Sequence, residues 1–449
     1  MRMTAESQTP VKTILKLAFP IVLGGIAQNV ILATDVFFMA QVDEILLDAV
    51  GLAGLFYATI YVLGLGFSTG VQILIARRHG EKNQAAVGSI FDNSLIFLLF
   101  FSLLLWALML WGGPPILKQL ISNDAVYQNA LLYLDQRAWG IVFAMINLAF
   151  RALFIGIASP TAITVSLFTT ALSNVWLNDA LIFGHWGFPE MGIAGSALAS
   201  SIAEITATIV FIGYVKYQRI REQFGIFKQL RLVKPAMLQI FNVSAPVMFQ
   251  YFISHAGWFL FFIIIEQNGA RALAISVVIR MVYMFQMVPF WGLSSATNTL
   301  VSFAIGEGRP QAVIPLLKRI TIISVIASLP LIILNSLIPE WVIGLSLGSE
   351  NQTLLNDCIP TLHIISLALF FFAIAMTWFS GVSGSGNTRM ALWIETITIL
   401  IYCILAWFLG MVLKSRVETI WLTEPFYFLV LSLVSMAYML SGKWKGKVI

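Results

Sequence analysis

Asp35 is the residue whose chemistry needs explaining first, because it sits in KLAFPIVLGGIAQNVILATDVFFMAQ, an apolar helical run with no basic residue beside it. A charge at mid-bilayer costs roughly 2.5–3.5 kcal/mol on insertion scales, so an acid there is expected to face a watery interior and bind a cation or a proton. Candidate partners follow from helical spacing. Thr170, Asn174 and Asn178 recur every fourth residue and form one stripe, whereas Asp179 lies about 100° away on the helix wheel. Ser196, Ser200 and Glu204 repeat that spacing, and Gly24, Gln28 and Asp35 share a face of the first run. At ~1.5 Å per residue, Asp35 and Asn178 lie about 9 Å in from the outer helix ends and Ser196 about 6 Å. The depth match selects Asp35, Asn174, Asn178 and Ser196 as a cation-binding set. One carboxylate with amide and hydroxyl oxygens suits a proton or a hard ion such as Na⁺ at Asp35, Asn174 and Asn178, since desolvation favours a neutral acid and hard ions favour oxygen. Gln28, Asn147, Thr170, Ser200 and Glu204 are expected to line the adjoining cavity. The structural alternative is interhelical hydrogen bonding, worth about 0.6–2 kcal/mol per contact.

The elements that must position these groups are membrane helices. Of 449 residues 59% are hydrophobic and only 10% charged, far below the quarter typical of water-soluble globules. The chain is therefore read as an all-α integral membrane protein with twelve transmembrane helices, running from 13–40 to 419–441; the pair within 130–184 is joined by almost no loop. No cleavage site follows the first run, so no removable signal peptide is expected. Cys358 and Cys403 lack metal or redox spacing. Most of the 26 Lys and Arg residues fall with the termini and the even-numbered loops, which places both termini in the cytoplasm. The net charge of +5 is thus a topology signal, and no soluble domain is long enough to hold nucleic acid.

The stretch KYQRIREQFGIFKQLRLVK divides the runs six and six, giving an N-terminal lobe (1–218), a basic cytoplasmic linker (219–235) and a C-terminal lobe (236–449). A shift of 226 residues lays Pro20 on Pro246, Tyr57 on Tyr283, Gly66 on Gly292, Ser68 on Ser294 and Gly80-Glu81 on Gly306-Glu307 without a gap. We read this as an internal repeat. Two halves of the same orientation imply two pseudo-symmetric six-helix bundles with a pathway between them. Pro20, Gly24 and Gly25 form a natural hinge in the first helix, because proline removes a backbone hydrogen bond and glycine bends cheaply. The second half does not repeat the polar set: Phe261 matches Asp35, and His255, Glu266, Arg280, His363 and Glu395 appear instead. His255, Trp258, Phe261 and Arg280 are expected to line a greasy solute cavity, with Arg280 free to pair with Glu266.

Several stretches resemble one family: LAFP…TD in the first run, GEKN after the second, NVWLNDALIFGHWGFPEMGIAGSALAS across the fifth and sixth, NTLVSFAIGEG after the eighth and GSGNTR after the tenth. They look like the multidrug and toxic compound extrusion transporters, over essentially the whole chain. The resemblance implies a multi-pass protein of the prokaryotic inner membrane, not an enzyme and without cofactor. It would export small amphiphilic or cationic organic solutes as a monomer, driven by entering H⁺ or Na⁺. The family's first-helix acid matches Asp35 and its fifth-helix pair matches Asn174 and Asn178. Acids that the sodium-linked branch carries in the seventh and tenth helices fall on Ser254 or His255 and near Phe372, so they are missing. Two rivals were weighed. A lipid-linked saccharide flippase uses a related scaffold but calls for several interior cations. An intramembrane serine protease is hinted at by Gly66-Phe67-Ser68-Thr69-Gly70, with His255 or His363 as base, although that pattern needs a strained turn. No P-loop, zinc or dinucleotide motif is present.

Overall fold

The computed structural model describes residues 11–40, 42, 44–228, 230–347 and 352–447, and over these the chain is built from helices. Twelve long ones follow in order among the described residues. They are α1 (Val11–Ala40), α2 (Glu44–Gly80), α3 (Gln84–Ala107), α4 (Asp124–Gly156), α5 (Thr161–Phe183) and α6 (Gly192–Tyr217), then α7 (Lys234–Glu266), α8 (Ala270–Gly306), α9 (Val313–Leu337), α10 (Gln352–Gly384), α11 (Thr388–Trp407) and α12 (Thr423–Leu440). All except α5 are long and apolar enough to cross a membrane, so eleven such spans stand where the sequence predicts twelve. The exception has a physical cause. α5 spends its length on Thr161, Thr164, Ser166, Thr169, Thr170, Ser173, Asn174, Asn178 and Asp179, the polar stripe that carries the candidate site.

Helix ends follow local chemistry. Asn83 and Asn123 cap α3 and α4 by accepting from backbone N–H groups of the first turn, at 3.1 Å from Ala86 and 2.9 Å from Ala125. Gly184, at φ 72°, ends α5 in the left-handed conformation that glycine adopts without strain.

The chain divides into two compact units, Leu23–Met248 and Phe249–Ile449 together with the stretch up to Val22. The divisions fall inside α1 and α7, and 22 and 248 are separated by the 226 residues of the sequence repeat. In the first unit α4 packs against α2, α3 and α6, and α5 lies along α6. The second unit repeats that order, with α10 against α8, α9 and α12, and α11 along α12. The basic segment after α6 is docked rather than loose: Asp92 Oδ1 accepts from Phe227 N at 2.8 Å and Asn93 Oδ1 from Val233 N at 2.7 Å.

Two glycines related by the repeat show how closely the backbones approach. A Cβ on Gly66 of α2 would lie 2.7 Å from Met248 Cα, and one on Gly292 of α8 would lie 3.0 Å from Val22 N and 3.2 Å from Val22 Cα. Each contact is internal to one unit, and Val22 and Met248 are themselves repeat partners. Gly66→Ala is therefore expected to destabilise by about 1–3 kcal/mol through overpacking against backbone that cannot swing aside. Gly213→Ala, whose Cβ would meet nothing within 4 Å, should leave the melting temperature of the purified protein nearly unchanged.

Candidate functional site

The first unit brings α1, α5 and α6 together around Asp35, which is 6% exposed. Asn178 Nδ2 donates to Asp35 Oδ1 at 2.6 Å, and Ser200 Oγ donates to Asp35 Oδ2 at 3.1 Å. Asn174 closes the ring: its Nδ2 donates to Ser200 Oγ at 3.0 Å and its Oδ1 accepts from Asn178 Nδ2 at 3.2 Å. One helical turn separates Asn174 from Asn178, so a single face of α5 supplies both amides. The hydroxyl arrives because α6 lies against α5 backbone to backbone. A Cβ on Gly195 would sit 2.4 Å from Leu181 O, and Leu177, Leu181 and Ala199 pack beside it.

Asn178 Oδ1 is buried and has no hydrogen-bond partner. An orphaned amide oxygen beside a carboxylate is an electron-rich pair in low dielectric, which is chemistry suited to a proton or to one small hard cation. Among the described residues no group of three or more His, Cys, Asp and Glu side chains could hold a metal ion, so the site offers a single carboxylate.

Some expectations need correction. Ser196 is buried, but its hydroxyl reaches no hydrogen-bond partner; Ser200, one turn further along α6 and expected only to line the cavity, makes the contact with Asp35 instead. Depth counted from helix ends misplaced α6 by one turn. Thr170 turns its hydroxyl to Ser166 O of its own helix at 2.7 Å. Gln28 is exposed although the wheel puts it on Asp35's face. Asp179, off the stripe as expected, accepts from Trp186 Nε1 and pairs with His185, each at 3.0 Å.

Asn147 and Glu204 belong to a second polar network that the sequence did not reveal in full. Asn147 Nδ2 donates to Glu204 Oε2 at 2.8 Å, and Thr208 Oγ1 donates to Asn147 Oδ1 at 2.8 Å. Arg137 of α4 was missed. Its guanidinium lies 4.1 Å from the Tyr57 ring centroid and 3.9 Å from Glu204 Oε1, and its charge acts on Asp35. The fourth run, read as 130–155, put Arg137 near a helix end, where a cation is ordinary; helix α4 begins earlier, at Asp124.

In the second unit the expected greasy cavity wall is largely core. Phe261 is fully buried, stacked on Tyr402 with centroids 5.6 Å apart and edge-on to Trp421 at 5.0 Å. Its aromatic character said nothing about the face it occupies, and it does not line a solute cavity. Trp258 donates its indole N–H to Glu424 at 2.9 Å. Exposed His255 bonds to Tyr251 O at 2.9 Å. Arg280 lies over the Phe262 ring at 4.9 Å, and no ion pair with Glu266 forms among the described residues. The serine of the protease-like pattern sits inside α2, where Ser68 Oγ donates to Leu148 O at 2.7 Å, so no exposed nucleophile exists there.

The MatE family model matches residues 20–179 and 246–408, two matches whose starts are 226 residues apart. A probable multidrug resistance protein NorM of Thermotoga maritima is 26% identical over 98% of this chain and 94% of its own length. Another of that description, from Synechocystis, is 24% identical over 87% and 85%. Among solved structures, an outward-facing conformation of a multidrug resistance MATE family transporter of the MOP superfamily has a TM-score of 0.89 at 17% identity, covering 97% of both chains, a likeness of fold.

Ser200→Ala removes a donor to a buried charge and should cost about 1.5–3 kcal/mol, whereas Ser196→Ala, which removes a hydroxyl without a partner, should cost less than about 0.5 kcal/mol. Unfolding of both variants in detergent micelles measures the difference.

Proposed function

Because the chain belongs to the MatE family of multidrug and toxic compound extrusion transporters, we propose that it exports amphiphilic or cationic organic solutes in exchange for an entering cation that loads at Asp35. It is a multi-pass membrane protein and a transporter, not an enzyme. The reading adds an inner-membrane location in a prokaryote, both termini in the cytoplasm as the basic loops imply, and action as a monomer.

The observation that supports Asp35 most directly is its pair of neutral donors: Asn178 and Ser200 hold both carboxylate oxygens, and no Lys or Arg touches either among the described residues. A carboxylate so placed changes its environment sharply when it gains a proton or an ion, because the charge that orients these donors disappears or is shared. The proton is the favoured ion. Two N–H and O–H groups already point at the carboxylate where a metal would need lone pairs, and Ser200 can turn from donor to acceptor once Asp35 carries a hydrogen. The unsatisfied Asn178 Oδ1 is the observation that favours Na⁺, since it adds an oxygen ligand next to Asp35. Coupling then needs only that the cation-loaded form bind solute less tightly than the empty form; cation and solute need not touch.

Reconstitution in liposomes with a fluorescent organic cation, under separately imposed proton and sodium gradients, tests this. Efflux driven by the proton gradient is expected, falling to background in Asp35→Asn with the protein still folded. Undiminished efflux in that variant refutes the site, and gradient-independent movement of a lipid-linked saccharide would replace export with flipping.

A further inference from the structure

The second unit holds two buried carboxyls that the Asp35 reading leaves unused. Glu395 of α11 is 3% exposed and Glu424, in the first turn of α12, 2%. Glu395 Oε1 accepts from Ser254 Oγ of α7 and, at 2.8 Å, from Tyr427 OH of α12. Glu424 Oε1 accepts from Trp258 Nε1 of α7 at 2.9 Å and from Tyr402 OH of α11 at 2.8 Å. The Tyr402 and Tyr427 rings are 5.5 Å apart, so neighbouring phenols join the two carboxyls.

All four donors are neutral, and among the described residues no Lys, Arg or His pairs with either glutamate. A carboxylate withdrawn from water without a cation costs several kcal/mol, while a neutral carboxylic acid does not incur that penalty. The second oxygen of each, Oε2, accepts no hydrogen bond among the described residues and is the place for a hydrogen.

An independent feature lies in the same cluster. Tyr283 of α8 is fully buried and its hydroxyl has no hydrogen-bond partner, yet it interacts electrostatically with Glu424, Tyr402 and Tyr427. A buried donor left unpaired costs about 1–3 kcal/mol, and an ionised Glu424 is the acceptor within its reach.

We propose that Glu395 and Glu424, with Tyr283, form a second proton-binding site, located in the unit where Phe261 stands at the repeat position of Asp35. It does not rest on the Asp35 reading. The proton adds to Oε2 of one glutamate to give a neutral acid and leaves from the same oxygen. A metal ion is disfavoured because Trp258 Nε1 can only donate and each Oε1 is already covered by two hydrogens. The other titratable groups around the pair are Tyr402 and Cys403 on α11, Tyr427 on α12 and Tyr283 on α8. His255 of α7 is exposed and bonded to its own helix, and Arg280 of α8 covers Phe262. α10 meets α12 through Phe372 on Phe428.

Infrared difference titration of the protein in nanodiscs reads protonated carboxyl groups directly by their C=O stretch. In an Asp35→Asn background the proposal expects such a band to rise as pH falls, to lose about half its amplitude in Glu395→Gln or Glu424→Gln, and to vanish in the double variant. Tyr283→Phe should move its midpoint to higher pH, since the ionised form loses a donor. Spectra of the glutamine variants that superimpose on their parent overturn the site, as does a band erased by sodium at fixed pH. The single variants and Tyr283→Phe, read beside a melting curve, carry the test should the double variant not fold.

Discussion

A carboxylate taken out of water must be met by hydrogen-bond donors, and where no cation is supplied those donors have to be neutral and close. Asp35 imposes this condition on the first unit. Its two oxygens take an amide from α5 and a hydroxyl from α6, which fixes both the rotation of α5 and the depth of α6. Close approach of those helices is in turn possible only with small residues at the crossing, and Gly195 beside Leu181 O provides it. Arg137 supplies charge from further away, held by Tyr57 and Glu204 rather than bonded to Asp35. Compensation at a distance leaves Asp35 free to take up a cation; a direct ion pair would have occupied it.

The two repeats answer the same steric demands and different chemical ones. Helix order and the Gly66 and Gly292 contacts recur in both units. Polar content does not. Where the first unit has Asp35, the second has Phe261 locked against Tyr402 and Trp421, and its acids arrive on the last two helices. A repeat that keeps its backbone contacts while its interior groups diverge is what packing predicts, since a backbone crossing tolerates no added Cβ whereas a polar network can be rebuilt from any helix facing the same space.

How much was readable from the sequence depended on what each signal measures. Long apolar runs gave the helices, because burying a backbone in lipid demands internal hydrogen bonding over about 20 residues. Helical period found Asn174 and Asn178, since one turn is a local quantity. Ser196 was preferred to Ser200 because depth was counted from assumed helix ends, and helices that pack closely need not start level. Glu424 went unnoticed since an acid at the start of the last run looks interfacial, while its burial is decided by Trp258 and Tyr402, far away in sequence. Phe261 and Gln28 failed for one reason: residue type does not say which side of a helix faces the core.

The division of the chain inside α1 gives the hinge expectation a mechanical meaning. Pro20 lies just before the boundary at Val22 and Gly24-Gly25 just after it, while Asp35 lies three turns beyond. Proline leaves the carbonyl one turn earlier without its helical partner, so bending there breaks no further hydrogen bond. The portion of α1 after the boundary is held to α5 and α6 through Asp35, and the strength of that hold depends on the carboxylate's charge. Neutralising Asp35 therefore weakens the attachment of one segment of a helix whose other segment belongs to a different compact unit. A change of charge at one oxygen pair becomes a change in the angle a helix prefers, with the weak point in the backbone already placed between the two.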